Sequence, residues 1–222
     1  MNFKVVEKFI SVNGEGMKAG ELAVFIRFAG CNLRCSYCDT MWANKSDVDF
    51  IVMDENAIYK YIKDTGVRNV TLTGGEPLLQ YGLEVLLKML LNDRDIEVEI
   101  ETNGSITLEP YNHMRNTSLS FTMDYKLGSS NMENKMCTDN FYNLTFKDTV
   151  KFVVGSTEDL NQANKLIDKF DLTNKCHVYL SPVYNQIDMK EIVEFMKLNK
   201  MNKVKLQIQL HKIIWDKDER GV

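Results

Sequence analysis

From residue 21 onward the chain alternates short runs dense in β-branched and aromatic residues with longer amphipathic runs. ELAVFIRFAG (21–30), RNVTLTGG (68–75), IEVEIETNG (96–104), LSFTMDYK (119–126), TVKFVVGS (149–156), CHVYLSPV (176–183) and NKVKLQIQLHK (202–212) predict strands. Between them, DENAIYKYIKDTG (54–66) reads as a helix: Asp54 caps it, Ile58 and Ile62 sit four apart, and Gly66 stops it. PLLQYGLEVLLKMLLN (77–92) predicts a helix with proline in its first turn. STEDLNQANKLIDKF (156–170) predicts another, entered at Ser156 or Thr157, and DMKEIVEFMKLN (188–199) a fourth. Residues 128–147 are polar and irregular.

Repeated strand–helix alternation implies a parallel sheet with helical crossovers. About six such units fit between residues 21 and 210, fewer than the eight of a closed barrel of ~250 residues. The expected fold is α/β: a reduced, TIM-like partial barrel with a mainly parallel sheet. No linker or repeat interrupts it, so residues 1–222 are expected to form one domain, with an N-terminal extension over 1–20.

The unusual residues fall at the carboxyl ends of the predicted strands. GCNLRCSYCDT (30–40) follows the first, GGEP (74–77) the second, ETNG (101–104) the third and DYK (124–126) the fourth; SPV (181–183) and HK (211–212) follow later ones. In parallel α/β folds that edge binds ligands, so motifs scattered in sequence are expected to meet there.

Composition narrows the function. With 44% hydrophobic and 26% charged residues the chain can bury a sizeable core. Its net charge of −4, with no basic run, argues against a broad nucleic-acid surface. The first residues lack an apolar leader segment, and no apolar run approaches the ~20 residues of a membrane span. A cytoplasmic protein is expected, and its five cysteines are then not a disulfide framework. Cys137 and Cys176 stand alone and read as buried structural thiols.

Cys31, Cys35 and Cys38 need another account. A closed structural zinc site takes four ligands, and the nearest downstream His or Cys is His113, in a polar run expected to face solvent. Cys35 and Cys38 fit a redox pair, which leaves Cys31 unexplained. An iron–sulfur cubane with three thiolates keeps one iron open for an exogenous ligand. The residues alone leave open a cluster, a zinc site and plain packed thiols.

The C-x3-C-x2-C spacing, with Tyr37 between the last two cysteines, resembles that of radical S-adenosylmethionine enzymes, and Gly74-Gly75-Glu76-Pro77 resembles their GGE motif. The resemblance implies a [4Fe–4S] cluster on Cys31, Cys35 and Cys38, S-adenosylmethionine on the open iron, and radical chemistry. SVNGEGMKAGELAVFIRFAGCNLRCSYCDT, with LTGGEPLLQ, EIETNG, SPV and QLHK in order, further resembles the 7-carboxy-7-deazaguanine synthase family. That family converts 6-carboxy-5,6,7,8-tetrahydropterin to 7-carboxy-7-deazaguanine with loss of ammonia, in queuosine and deazapurine biosynthesis.

The resemblance assigns roles residue by residue. Val12, Asn13 and Gly14 match a pterin-binding segment, although many relatives carry Gln where Asn13 stands; Glu15 would accept from the guanidine-like edge of the pterin. Arg27 would clamp the substrate carboxylate, a planar guanidinium suiting bidentate contact, or else pair with a structural acid. Thr73, His211 and Val222 would also reach the substrate, Val222 through a tail folded back on the site. Tyr37, Asp39, Gly74, Gly75, Glu76, Glu101 and Asn103 would line the S-adenosylmethionine site, as would Ser181 and Pro182. Asp124, Tyr125 and Lys126 stand where many relatives have Ser-Pro-Lys and would offer backbone contacts. Thr40 would bind a magnesium ion shared with the substrate carboxylate. A homodimer and a flavodoxin or ferredoxin reductant are implied. Two other readings remain: a glycyl-radical-enzyme activase, and a metal-binding module without catalysis.

Overall fold

The computed structural model describes residues 1–115, 118–216 and 219–222. Its strands are β1 (Phe3–Val12), β2 (Leu22–Phe28), β3 (Ile51–Met53), β4 (Asn69–Gly74), β5 (Glu97–Thr102), β6 (Leu119–Lys126), β7 (Thr149–Val154), β8 (His177–Pro182) and β9 (Val204–Leu206). They form one sheet in the order β3-β1-β2-β4-β5-β6-β7-β8-β9. Neighbours from β2 through β9 pair in parallel, while β1 runs antiparallel to both β2 and β3. The sheet does not close on itself, as expected of a partial barrel.

The helices are α1 (Glu55–Thr65), α2 (Leu83–Leu91), α3 (Asn140–Asn143), α4 (Thr157–Phe170), α5 (Met189–Leu198) and α6 (His211–Ile214). Asp54 accepts from the Ala57 N–H at 2.7 Å and Gly66 ends α1 in the left-handed region. Ser156 accepts from Asp159 N at 3.2 Å at the start of α4. Such caps each contribute about 1 kcal/mol.

One apolar core joins alternate residues of the strands to the helices. Val98 and Ile100 of β5, Phe121 and Met123 of β6, and Val150 and Phe152 of β7 pack in it with Leu86, Leu87, Leu90, Leu166 and Ile167. Burying each such side chain contributes roughly 1.5–3 kcal/mol. The residues between them point the other way, as the pleat requires.

Three elements differ from the sequence expectation. The extension over 1–20 contains the ten-residue strand β1, whose alternation is broken by a bulge between Val5 and Glu7. The helix expected from residue 77 begins at Leu83; Pro77–Leu79 form a separate 3-10 turn, and Gly82 at φ +81° redirects the chain between them. The last strand ends at Leu206 rather than running to residue 212, because its partner β8 passes into Ser181–Pro182 and the chain turns toward α6. Residues 128–147 form short 3-10 turns and the four-residue α3.

Candidate active site

The carboxyl ends of the parallel strands open on a cavity of about 750 Å³. Cys31, Cys35, Cys38, Thr40, Gly74, Gly75, Asn103 and Lys126 line it, from four different strand ends.

The cysteine loop is held by hydrogen bonds from its neighbours. Asn32 Nδ2 donates to Ser105 Oγ at 2.8 Å, and Ser36 N to the Ser130 carbonyl at 3.1 Å. Cys31 Sγ accepts from Leu33 N at 3.4 Å and Asn103 Nδ2 at 3.5 Å. The next turn fits against this loop only because residues 74 and 75 lack side chains. A Cβ at Gly75 would lie 2.0 Å from the Gly30 carbonyl oxygen, and one at Gly74 2.4 Å from that of Phe28. Glu76 is fully buried and braces the turn, its carboxylate accepting from Asn103 N (2.7 Å), Thr102 Oγ1 (2.8 Å) and Leu78 N (3.0 Å). Burial pushes its carboxyl up to about 7, against those hydrogen bonds. Of the two roles that the motif allows Glu76, ligand acceptor or loop brace, this geometry is the brace.

Burial also pushes the Cys35 thiol up to about 11 and raises that of Cys31. Such thiols are protonated and sluggish at neutral pH, unlike those of a redox pair; metal coordination would deprotonate them outright. Among the described residues no three His, Cys, Asp or Glu side chains converge on a point that would hold a single metal ion. A cubane makes a different demand, since each thiolate binds its own iron. Three thiols on one loop facing one cavity, with N–H donors already on a sulfur, fit that group.

Below the thiols lies a network of opposite charges. Lys151 Nζ is 2.7 Å from Glu15 Oε2 and 3.3 Å from Asp124 Oδ2; Lys126 Nζ is 2.9 Å from the same Asp124 oxygen. Glu15 Oε1 accepts from Ser181 Oγ at 3.0 Å. Burial would raise the Glu15 carboxyl, but Lys151 outweighs it and holds it below the usual value. Burial opposes the charge on Lys151, yet Asp124, Glu15 and Glu101 keep it well above an ordinary lysine. Burial raises Glu101, against the pull of Lys151 and a hydrogen bond from Thr73. Asp124 Oδ1 and the Tyr37 hydroxyl are buried with no partner among the described residues, acceptor and donor left for a ligand.

The antiparallel pair of β1 and β2 forms the opposite wall. Glu7 pairs with Arg27 and Phe9 with Phe25 in register. The Arg27 Nε donates to Glu7 Oε2 at 3.0 Å, and the two rings stack with centroids 4.9 Å apart. All four residues line the cavity.

The turn after β1 is sewn to the sheet. Asn13 Oδ1 accepts from Thr71 Oγ1 at 2.9 Å, Gly16 N donates to Gln207 Oε1 at 2.9 Å, and Leu210 N to the Gly14 carbonyl at 3.1 Å. A Cβ at Gly14 would lie 2.5 Å from His211 Nδ1, so only glycine admits that ring. Val12, Gly14, Glu15, Arg27, Thr73, His211 and Val222 line the cavity, as do Tyr37, Asp39, Glu101, Asp124 and Pro182. Asn13, Glu76, Tyr125 and Ser181 do not: Asn13 is buried on Thr71, Tyr125 stacks on Phe141 at 5.0 Å in the core, and Ser181 supports Glu15. Arg220 stacks on Trp42, 3.9 Å from the ring centroid, which lays the tail beside the cavity. His113 is exposed, Cys176 buried and Cys137 only half-buried.

Sequence reading missed Lys151, Glu7 and Phe9. For Lys151 a signal existed, a lone cation inside the apolar run TVKFVV. Glu7 and Phe9 carried none, because the bulge in β1 hides which residues share a face.

Residues 25–198 match the radical SAM superfamily model, and the chain is a radical SAM protein. The match at the level of the particular enzyme is equally extensive. The chain is 59% identical to the 7-carboxy-7-deazaguanine synthase of Clostridium acetobutylicum over the whole length of both. It is 36% identical to that of Methanospirillum hungatei over 95% of this chain and 85% of the other. The protein therefore belongs to the 7-carboxy-7-deazaguanine synthase family. Its fold matches the crystal structure of QueE from Escherichia coli with a TM-score of 0.69, at 21% identity and covering 93% of each chain. No helix among the described residues is long and apolar enough to cross a membrane.

Proposed function

We propose that the chain converts 6-carboxy-5,6,7,8-tetrahydropterin to 7-carboxy-7-deazaguanine with loss of ammonia, as a radical SAM lyase. The observation that carries this reading is that the three thiols and the Arg27 wall open on one cavity. When bound, a [4Fe–4S] cluster with S-adenosylmethionine would supply one-electron radical chemistry, driven by an electron from an external reductant.

Cys31, Cys35 and Cys38 would hold the cluster, and Asn103 Nδ2 and Leu33 N donate to the Cys31 sulfur. Gly74 and Gly75 allow the turn to approach the cofactor, braced by Glu76. The Tyr37 hydroxyl would donate to it and Asp124 Oδ1 accept from it, with Pro182, Lys126, Glu101 and Asp39 along its site and Tyr125 and Ser181 behind. Arg27 clamps the substrate carboxylate with its terminal nitrogens. Glu15, held ionised by Lys151, accepts from the pterin's N–H edge, and Val12, Gly14, Thr73 and His211 fix the ring, with Asn13 supporting the turn and Val222 at the cavity mouth. The Thr40 hydroxyl, which makes no helix cap and lies 3.7 Å from Cys38 Sγ, would offer an oxygen to Mg2+. A flavodoxin or ferredoxin donates the electron, and a cytoplasmic homodimer covers the free sheet edges.

The test is anaerobic reconstitution with iron and sulfide, followed by dithionite, S-adenosylmethionine, magnesium and the carboxytetrahydropterin, with products read by mass spectrometry. 7-Carboxy-7-deazaguanine over many turnovers is expected. 5′-Deoxyadenosine without that product overturns the substrate and returns the activase to the front. Neither product from cluster-loaded protein leaves a metal-binding module.

A further inference from the structure

We infer that Glu7 is a positioning residue for the substrate clamp: it fixes the Arg27 guanidinium by its Nε so that the terminal nitrogens face the carboxylate. The inference rests on the proposed role of Arg27. Three features of the β1–β2 wall carry it.

The first is the bulge. Between Val5 and Glu7 the register of β1 against β2 shifts by one residue. Upstream, Phe3 and Val5 are buried in the apolar core. Downstream, Glu7 and Phe9 line the cavity instead. A bulge inserts one extra residue and re-aims the side chains beyond it, and bulges gather beside functional sites for that reason. Here its effect is to set a carboxylate directly across from Arg27.

The second is which nitrogen is used. Glu7 Oε2 accepts from Nε at 3.0 Å. A guanidinium presents its donors in a rigid fork, so holding Nε fixes its plane and the direction of the terminal nitrogens. An arginine held this way forfeits less side-chain freedom when its substrate arrives.

The third is the surroundings. The Arg27 and Glu7 side chains are only 16% and 18% exposed, and the stacked Phe9–Phe25 rings adjoin them on the same wall. Shielding from water strengthens both the internal pair and any contact with a carboxylate.

Glu7 also carries a charge that repels an anionic ligand, so the test must separate position from charge. Glu7→Gln and Glu7→Ala lose the same charge, but the glutamine keeps an oxygen able to accept from Nε. Binding of 6-carboxypterin and of pterin, which lacks the carboxylate, is measured by anaerobic calorimetry on cluster-loaded protein with S-adenosylmethionine and no reductant. E7A is expected to bind 6-carboxypterin about tenfold more weakly than E7Q, with E7Q equal to or tighter than the parent. All three bind pterin alike, which also shows that the site is folded. In turnover, E7A raises KM for the carboxytetrahydropterin more than it lowers kcat. Equal binding of 6-carboxypterin by E7A and E7Q, or tighter binding by E7A, overturns the positioning role while leaving the Arg27 clamp standing. If Arg27→Ala binds 6-carboxypterin as well as the parent does, the clamp itself fails and the inference with it.

Discussion

On β5, Val98 and Ile100 lie in the apolar core, while Glu99 and Glu101, one residue away, lie on the opposite face among Thr73, Thr122 and Lys151. The same split runs through β6, where Phe121 and Met123 face the core and Thr122 and Asp124 face away, and through β7, where Val150 and Phe152 flank Lys151. One face fills volume and excludes water. The other is equally dry at its base, yet polar, and its groups are held by ion pairs and hydrogen bonds. The pleat lets one strand do both, with the two faces separated by a single residue. The faces should therefore fail differently.

The largest effect is expected at the mouth of the polar face. Cys31→Ala should lower turnover by on the order of a thousandfold or more, because a cluster held by two thiolates is lost. Iron content and thermal melting check it: iron should fall, while the apoprotein melts within a few degrees of the parent. An equal fall in melting temperature would mean that the loop is structural.

Phe121→Ala and Lys151→Met set the two faces against each other at similar cost. Phe121 is fully buried in the core, and its truncation should destabilise by about 3–5 kcal/mol through lost burial and a cavity. Lys151→Met conserves much of the volume but leaves Glu15 without a cation and Asp124 with Lys126 alone, also at about 3–5 kcal/mol. Denaturant melts measure both. They separate in their pH dependence: the loss at Lys151 should shrink on acidification, as Glu15 protonates, and the loss at Phe121 should not. Activity of the folded fraction should survive Phe121→Ala and fall with Lys151→Met.

A smaller effect of opposite sign is expected at Glu99. Burial first, and then the neighbouring Glu101, push its carboxyl up to about 7, even though Thr122 donates a hydrogen bond to it. A group that binds its proton more tightly when folded stabilises the protein fully below its unfolded value, and that stability is lost as pH rises through the folded one. From its ordinary value near 4.5 up to about 7, Glu99 therefore erodes stability by about 3 kcal/mol. Glu99→Gln removes that loss and still accepts from Thr122. It should melt higher than the parent at pH 8 and nearly the same at pH 4.5. No gain at pH 8 would mean that the folded protein does not raise the Glu99 carboxyl.

The strand–helix alternation was legible because it depends on local period. Asp54, Gly66 and Ser156 marked helix ends as expected, since capping is settled within one turn of chain. The cysteine spacing and the GGEP turn were legible for a similar reason: contiguous residues carry the chemistry. β1 was not, because the bulge interrupts the alternation that reveals a strand, and α2 began late because Gly82 interrupts what reads as one amphipathic run.

The α/β class and the clustering of unusual residues at strand ends can thus be read from the chain alone. Which side chains meet is a property of the folded sheet. Glu15 and Lys151 are 136 residues apart and Ser181 further still, yet they form one network. That Asn13 and Ser181 support the site from behind, that Tyr125 packs in the core, and that Glu7 stands opposite Arg27 are likewise matters of register and burial. Periodicity is a property of neighbours along the chain; pairing a buried charge requires knowing which distant strand lies alongside.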